Sequence, residues 1–473
     1  MLTYELNKAP GVPLYEALYR CIRSDILSGR LSAGEKLPSK RTLADHLKVS
    51  KITVEGAYAQ LLSEGYIRSV EKVGYFVEDL SAVYDMPAKE TGEKSVGGQR
   101  QKPTFFDEKP ESKHGTIDLT ANGSATFPFS VWSRLQRQVI LDVGPRLLEP
   151  LPNQGLQQLR RVIATQLRQF RGMQVEPENI LIGAGTDFLY NLLIQLLGRE
   201  KIYAVEEPGY GKIRRIYAAG GVVCVGVPMD GQGVLPEQLG QAQVLHISPS
   251  HHFPTGIITS AVRRQALLNW ANGAPDRWII EDDYDSEFRF SAHPMAAMQS
   301  MDPGRVIYMN TFSKTLTPSI RISYMVLPEA LMARFQRELG FYSCTVPSFE
   351  QYTLAYFLEQ GHFEKHINRM RKLYKARRNR VLSAITGCPQ AKKLTILEQN
   401  AGLHFLVRVD TCLTDSLLTE RFSDVGILVR CLGSYYHEQG ATEETHTLVI
   451  NYSGLSEADV KHLETALSSL EQI

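Results

Sequence analysis

The chemistry-bearing residues of the chain cluster in four short segments that follow one another in a fixed order. Lys314 stands in Y-M-N-T-F-S-K-T-L-T-P-S-I-R-I-S-Y, with Thr311 and Ser313 before it and Arg321 seven residues after it. Two hydroxyls and a guanidinium around one lysine suit a phosphate dianion beside an amine that bonds an aldehyde. Upstream, W-I-I-E-D-D-Y-D-S-E-F-R-F ends an apolar run in Glu281, Asp282 and Asp283. Carboxylates at the C-terminal end of a buried strand lie where open α/β sheets bind ligands; Asp282 would pair with a pyridinium nitrogen, and Tyr284 would donate to a ring oxygen. In I-L-I-G-A-G-T-D-F-L-Y-N-L-L a strand turns through Gly183–Thr186 into a helix, an anion seat of free amides and helix dipole to which Gly185 and Thr186 belong. Tyr210, in E-E-P-G-Y-G-K-I, is the candidate stacking ring. Each feature alone is common: a surface lysine, an acidic loop, a Gly-rich turn, a packing tyrosine. Together they are the parts that pyridoxal 5′-phosphate (PLP) needs, namely a Schiff-base lysine, an acid for the ring nitrogen, an aromatic face and phosphate donors.

These segments must be positioned by an alternation of strands and helices. Runs at Asn179–Ile182, Lys201–Val205, Val222–Val227, Val244–Ile247, Trp278–Glu281, Val306–Met309 and Ile322–Leu327 predict strands. Amphipathic stretches such as Phe188–Leu197 and Ser260–Asn272 predict helices between them, so the region from 116 to 473 reads as an α/β domain with a mainly parallel sheet. A long helix is expected over Gln351–Thr386. A small C-terminal α/β subdomain follows, with strands Gly402–Val409 and Thr447–Asn451 and a helix Glu457–Glu471.

The N-terminal region, 12–79, reads differently. Leu14, Leu18, Ile22 and Ile26 form a helical stripe. Ser39 is placed to cap a helix Lys40–Leu47 burying Leu43, Ala44 and Leu47. After a turn at Val49 and Ser50, a second helix Ile52–Glu64 buries Val54, Ala57, Tyr58, Leu61 and Leu62, and Gly65 ends it. Tyr66–Ser69 and Gly74–Val77 read as a two-stranded wing with Lys72 at its tip. Two helices joined by a short turn make a helix-turn-helix, whose second helix enters the major groove. The chain is nearly neutral, with a net charge of +1, yet Lys36, Lys40, Arg41, Lys48 and Lys51 face a single acid, Asp45, between positions 36 and 51. Such a local basic face fits phosphate contact. Lys40, Arg41, Ser50, Lys51, Thr53 and Lys72 are the candidate DNA contacts, with Ser50, Lys51, Thr53 and Val54 opening the second helix toward phosphates and base edges.

Between the two regions, 80–115 is rich in Lys, Glu, Gly and Pro without apolar periodicity and reads as a flexible linker. The 473 residues, 43% hydrophobic and 22% charged, suffice for about three compact units without disulfides or metals to staple them. The six cysteines are scattered, with no C-x-x-C and no zinc-type pairing, so free thiols and no metal are expected. The N-terminus lacks a signal pattern and no apolar run approaches a membrane span, which implies a cytoplasmic protein.

The order L-P-S-K-R-T-L-A-D-H-L-K-V-S-K-I-T-V…A-Y-x-Q-L-L-S-E-G-Y-I…G-Y-F-V closely resembles the winged helix-turn-helix of GntR-family bacterial regulators. The later segments, with S-P-S-H-H-F-P-T-G between Tyr210 and Asp282, resemble fold-type I aminotransferases over about 350 residues. The pairing of the two resembles the MocR subfamily, of which GabR is the familiar example. That resemblance implies an internal aldimine at Lys314, a ring partner at Asp282, phosphate contacts from Gly185, Thr186, Thr311, Ser313 and Arg321, and a homodimer in which the reader of one chain crosses head-to-tail to the other's large domain. It implies a regulator of promoter DNA whose large domain senses an amino acid, an amine or PLP itself. Two departures stand out. Aminotransferases usually place Asn before P-T-G, where this chain has Phe253, so a hydrogen bond to the ring's 3′ oxygen is lost. The C-terminal arginine that clamps a substrate carboxylate is also missing: T-L-V-I-N-Y-S-G-L holds Asn451, and Arg430 is the nearest substitute, as readily a surface cation. The alternative, a working aminotransferase with secondary DNA binding, is the reading that Phe253 weakens.

Overall fold

The computed structural model describes residue 4 and residues 13–70, 73–78, 116–121, 123, 127–290, 296–398, 402–437 and 445–469. The expected linker and Lys72 lie outside them. The chain divides into two compact units, 1–105 and 106–473.

In the first unit α1 (Leu14–Leu27), α2 (Lys40–Leu47) and α3 (Lys51–Ser63) enclose a core of Leu18, Ile22, Leu43, Val54, Tyr58 and Leu61. Ser39 and Ser50 cap α2 and α3, their hydroxyls accepting from the amides of Thr42 and Thr53 at 3.1 Å. Lys51 is therefore already helical, one residue earlier than the sequence suggests, because Ser50 satisfies the amide that a helix start leaves open. Leu47 and Leu62, expected in the core, are half-buried. The wing is three-stranded rather than two-stranded. Between β2 (Ile67–Val70) and the short β1 (Lys36–Leu37) lies β3 (Gly74–Val77), antiparallel to both. Two residues carry too little pattern to be read as a strand, which is why β1 escapes the sequence.

The second unit begins with β4 (Ile117–Asp118). Its main sheet contains β5 (Ile180–Gly183), β6 (Ile202–Glu207), β7 (Val223–Asp230), β8 (Gly233–Val234), β9 (Val244–Ile247), β10 (Trp278–Asp282), β11 (Val306–Thr311) and β12 (Ser323–Val326), in the order β5-β12-β11-β10-β9-β6-β7-β8. β11, β10, β9, β6 and β7 pair in parallel, and β12 runs antiparallel to both of its neighbours. The seven predicted strands all form. Successive side chains alternate between faces: Ile307, Met309 and Met325 pack under the helix Thr186–Leu197, while Tyr308 and Tyr324 join the core on the other side.

The long helix expected over Gln351–Thr386 is two helices, Ser348–Glu359 and His362–Gly387. Gly361, at φ +70°, turns the chain left-handed between them, a conformation that costs glycine little. Beyond them β13 (Leu394–Leu397), β14 (His404–Val409), β16 (Arg430–Cys431) and β17 (Thr447–Asn451) form an antiparallel sheet in the order β13-β14-β17-β16, and β15 (Ile427–Leu428) pairs with β4. The last helix, Glu457–Ser468, starts in a capping box of Ser456 and Asp459. Among the described residues no helix is long and apolar enough to cross a membrane.

Candidate functional site

The C-terminal ends of the parallel strands open into a cavity of about 400 Å³. The ends of β10 and β11 bring Asp282, Tyr284, Thr311, Ser313 and Lys314 to it; the turn after β5 adds Thr186 and that after β6 adds Tyr210. Arg321 closes the same wall. Residues more than 130 positions apart thus meet because each follows a strand of one sheet.

Asp282 is buried, and its two oxygens are treated differently. Oδ2 accepts from the Tyr190 hydroxyl and lies 3.4 Å from His246 Nε2, whose Nδ1 is bonded to the Tyr217 hydroxyl at 2.6 Å. Oδ1 is buried and has no hydrogen-bond partner among the described residues. A carboxylate oxygen left so is costly unless a donor arrives from the cavity. Ser313 Oγ is in the same position. Thr311 Oγ1 accepts from Ser313 N (3.1 Å) and from Ser323 Oγ (2.8 Å), so its own proton is free to donate. Burial pulls the Lys314 amine below the ordinary lysine range, with Asp285 and then Asp282 opposing the shift.

At the far end Gly185, φ +87°, caps the helix Thr186–Leu197. A Cβ there would fall on the Arg321 guanidinium, so only glycine lets the arginine lie against the turn. Arg321 Nη2 donates to the Ala184 carbonyl (3.3 Å) and lies 3.5 Å from Asp187 Oδ2, which Lys212 Nζ also reaches at 2.8 Å. Two cations and a helix start make an anion seat. Tyr210 is 52% exposed and meets Phe253 edge-on at 5.9 Å. Phe253 also meets Tyr435 and His404, so the position that could hold a hydrogen-bonding amide is part of an aromatic wall. Tyr284 OH lies 3.4 Å from His251 Nδ1.

Arg430 is not among the residues that line this cavity; it is exposed and its side chain bonds Tyr435. The sequence reading missed Lys212, Tyr190, His246, His404 and Glu206, all of which line the cavity. Glu206 is buried and pushed up to about 8 by burial; the Ser248 amide that it accepts from at 2.9 Å opposes the shift, and Asp282 adds to it. His252, 3.4 Å away, is pushed down to about 3 by burial, so the two face each other as a neutral acid and a neutral imidazole.

In the first unit Arg41 and Lys51 are exposed; Lys51 reaches Glu55 at 3.4 Å. Lys40 is half-buried, its Nζ 5.3 Å over the Tyr75 ring of the wing. Ser50 is exposed at the helix start and Thr53 is half-buried. Val54, read both as a core residue and as part of the helix start that faces DNA, is fully buried: it lies four residues past the Ser50 cap, on the core side. Ile52, 78% exposed, is the apolar side chain that faces outward at the start of α3.

Residues 14–77 match the family described as bacterial regulatory proteins, gntR family. Over 98% of this chain and 94% of the relative, the sequence is 32% identical to the probable rhizopine catabolism regulatory protein MocR of Rhizobium meliloti. The chain belongs to the MocR-type GntR regulators. This MocR-type regulator is also 32% identical to the pyridoxine biosynthesis transcriptional regulator PdxR of Corynebacterium glutamicum, over 93% of the chain and 92% of that protein. Its large unit has the fold of PLP-dependent aminotransferases. The multiple substrate aminotransferase of Thermococcus profundus superposes on 75% of the chain and 91% of its own with a TM-score of 0.64 at 23% identity. The regulator reading is therefore favoured over that of an enzyme with secondary DNA binding, and the winged helix-turn-helix implies that the partner is DNA.

Proposed function

We propose that this regulator carries PLP on Lys314, and that an amino compound or PLP itself, taken up in the same cavity, changes its hold on promoter DNA. The observation that carries the reading is the buried Oδ1 of Asp282, without a hydrogen-bond partner among the described residues, on a residue that lines the same cavity as Lys314. A protonated pyridine nitrogen would supply the donor that this oxygen lacks. Gly185, Thr186, Thr311, Ser313 and Arg321 would hold the phosphate, with Lys212 beside them. Tyr210 would cover the ring and Tyr284 would donate to its 3′ oxygen. When bound, PLP supplies an aldehyde for amines and a ring that draws electrons from the bond so made.

The chain's own residues do the rest. Burial favours the uncharged amine of Lys314, the form that bonds an aldehyde. Tyr190 and His246 hold Asp282 Oδ2 and leave Oδ1 for another donor. Phe253 keeps water away and offers no hydrogen bond, which suits binding without rapid turnover. The name of PdxR supports PLP itself among the effectors. On the DNA side, Lys40, Arg41, Ser50, Lys51, Thr53 and Lys72 would contact the duplex, with α3 in the major groove. A homodimer with crossed readers would convert a change in the large units into altered half-site spacing. A ligand does this only if it favours one dimer geometry over the other.

The test is a titration of the purified full-length protein with D- and L-amino acids, amines and PLP, following visible absorbance and promoter affinity together. One compound is expected to shift both, without product accumulating. A compound converted rapidly to its keto acid with no change in DNA affinity would sink the sensor reading. Lys314→Ala is expected to remove the bound-cofactor absorbance and leave basal DNA binding largely intact.

A further inference from the structure

A second cavity, about 110 Å³, lies on the reverse face of β11 from the first. Side chains alternate along this strand, so Tyr308 and Asn310, and then Phe312, line the second cavity, while Thr311 and Ser313 line the first. The helix Gln157–Arg171 closes one side with Ile163 and Leu167, and the helix His362–Gly387 the other with Phe363 and Glu364. Phe170, 46% exposed, stands at its mouth.

The polar groups here leave a specific deficit. Glu287 Oε1 accepts from Asn310 Nδ2 at 3.4 Å, and Glu364 Oε1 from Gln166 Nε2 at 2.5 Å. The other oxygen of each carboxyl, Oε2, is buried with no partner among the described residues. The nearby cations are directed elsewhere: Arg171 bridges Asp283 at 2.9 Å and donates to Ser250, and Arg371 Nε donates to the Glu287 carbonyl. Burial, then Asp283, pushes Glu287 up to about 7, and Arg171 opposes that shift without cancelling it. Phe312, Tyr324 and Phe363 turn aromatic surface to the same space, and ring faces attract cations.

We propose that this cavity is a second ligand site, for a compact organic cation held between Glu287 and Glu364. A cavity of about 150 Å³ takes benzene, so this one suits about five heavy atoms. Its occupant contacts Asn310 and Phe312, so the site is built against the strand that leads into the short helix Phe312–Thr315, which holds Lys314. The assignment does not depend on PLP being bound.

Tetramethylammonium is the probe, because a quaternary nitrogen cannot bond an aldehyde and so leaves the first cavity unreacted. Added to the full-length protein, it is expected to raise the unfolding midpoint saturably, by on the order of 2 °C. Sodium chloride at equal ionic strength and the neutral tert-butanol are expected not to. The shift should vanish in the Glu287→Gln, Glu364→Gln double variant, and also in Ile163→Phe, which fills the space without touching a charge. It should persist in Lys314→Ala. No shift beyond the sodium chloride control would overturn the proposal and leave the cavity to water. An equal shift in both cavity variants, or its loss in Lys314→Ala, would place the ion elsewhere and overturn it as well.

Discussion

At the scale of single residues, the cavity under the strand ends includes Glu206, Lys314 and His404, whose charged forms burial disfavours. Glu206 shows the consequence for stability. In the folded protein its carboxyl keeps a proton up to about pH 8, whereas an unfolded one loses it near 4.5. The folded state therefore binds more protons across that window, and stability falls as pH rises through it. Glu206→Gln removes the slope. In urea unfolding of the cofactor-free protein it is expected to be near neutral at pH 5 and stabilising by pH 8, and a variant whose effect is the same at both would contradict the buried neutral acid. At Asp282 the hydrogen bonds are divided instead: Tyr190 and His246 partner one oxygen, and the other has no partner among the described residues.

The same reasoning extends to elements. Gly185 holds a left-handed turn at the start of the helix Thr186–Leu197, with Arg321 packed where a side chain would go. Gly185→Ala is expected to displace Arg321 and weaken PLP binding tenfold or more, with little change in DNA affinity; an unchanged dissociation constant would remove the turn from the phosphate site. Much of this element structure was legible beforehand. The seven strands announced themselves as β-branched runs, and Asp282, Lys314 and Gly185 could be found because each closes such a run. Tyr190, His246 and Lys212 could not, since nothing local marks a core tyrosine, a histidine inside V-L-H-I or a surface lysine as a neighbour of Asp282 or Asp187. The long helix broke at Gly361 because one glycine in a helical pattern is as often tolerated as terminal. Val54 was legible as core from its spacing with Ala57, Tyr58 and Leu61, and that same placement leaves it no side free for DNA.

At the scale of the whole molecule, one chain joins a winged helix-turn-helix to an aminotransferase fold, and each unit has its own core. Regulation then requires only that the large unit have two arrangements of unequal affinity for its ligand. In the proposed function the basic helix starts supply attraction to DNA, and the cavity supplies the chemical signal. That division rests on Lys314 being the residue to which the cofactor is attached. The most direct measurement is borohydride reduction of the PLP-loaded full-length protein followed by peptide mass mapping. The phosphopyridoxyl mass should be fixed on the peptide containing Lys314 and be absent from the Lys314→Ala protein. A label on another lysine, or none at full PLP occupancy, would contradict the assignment and with it the site built around Asp282.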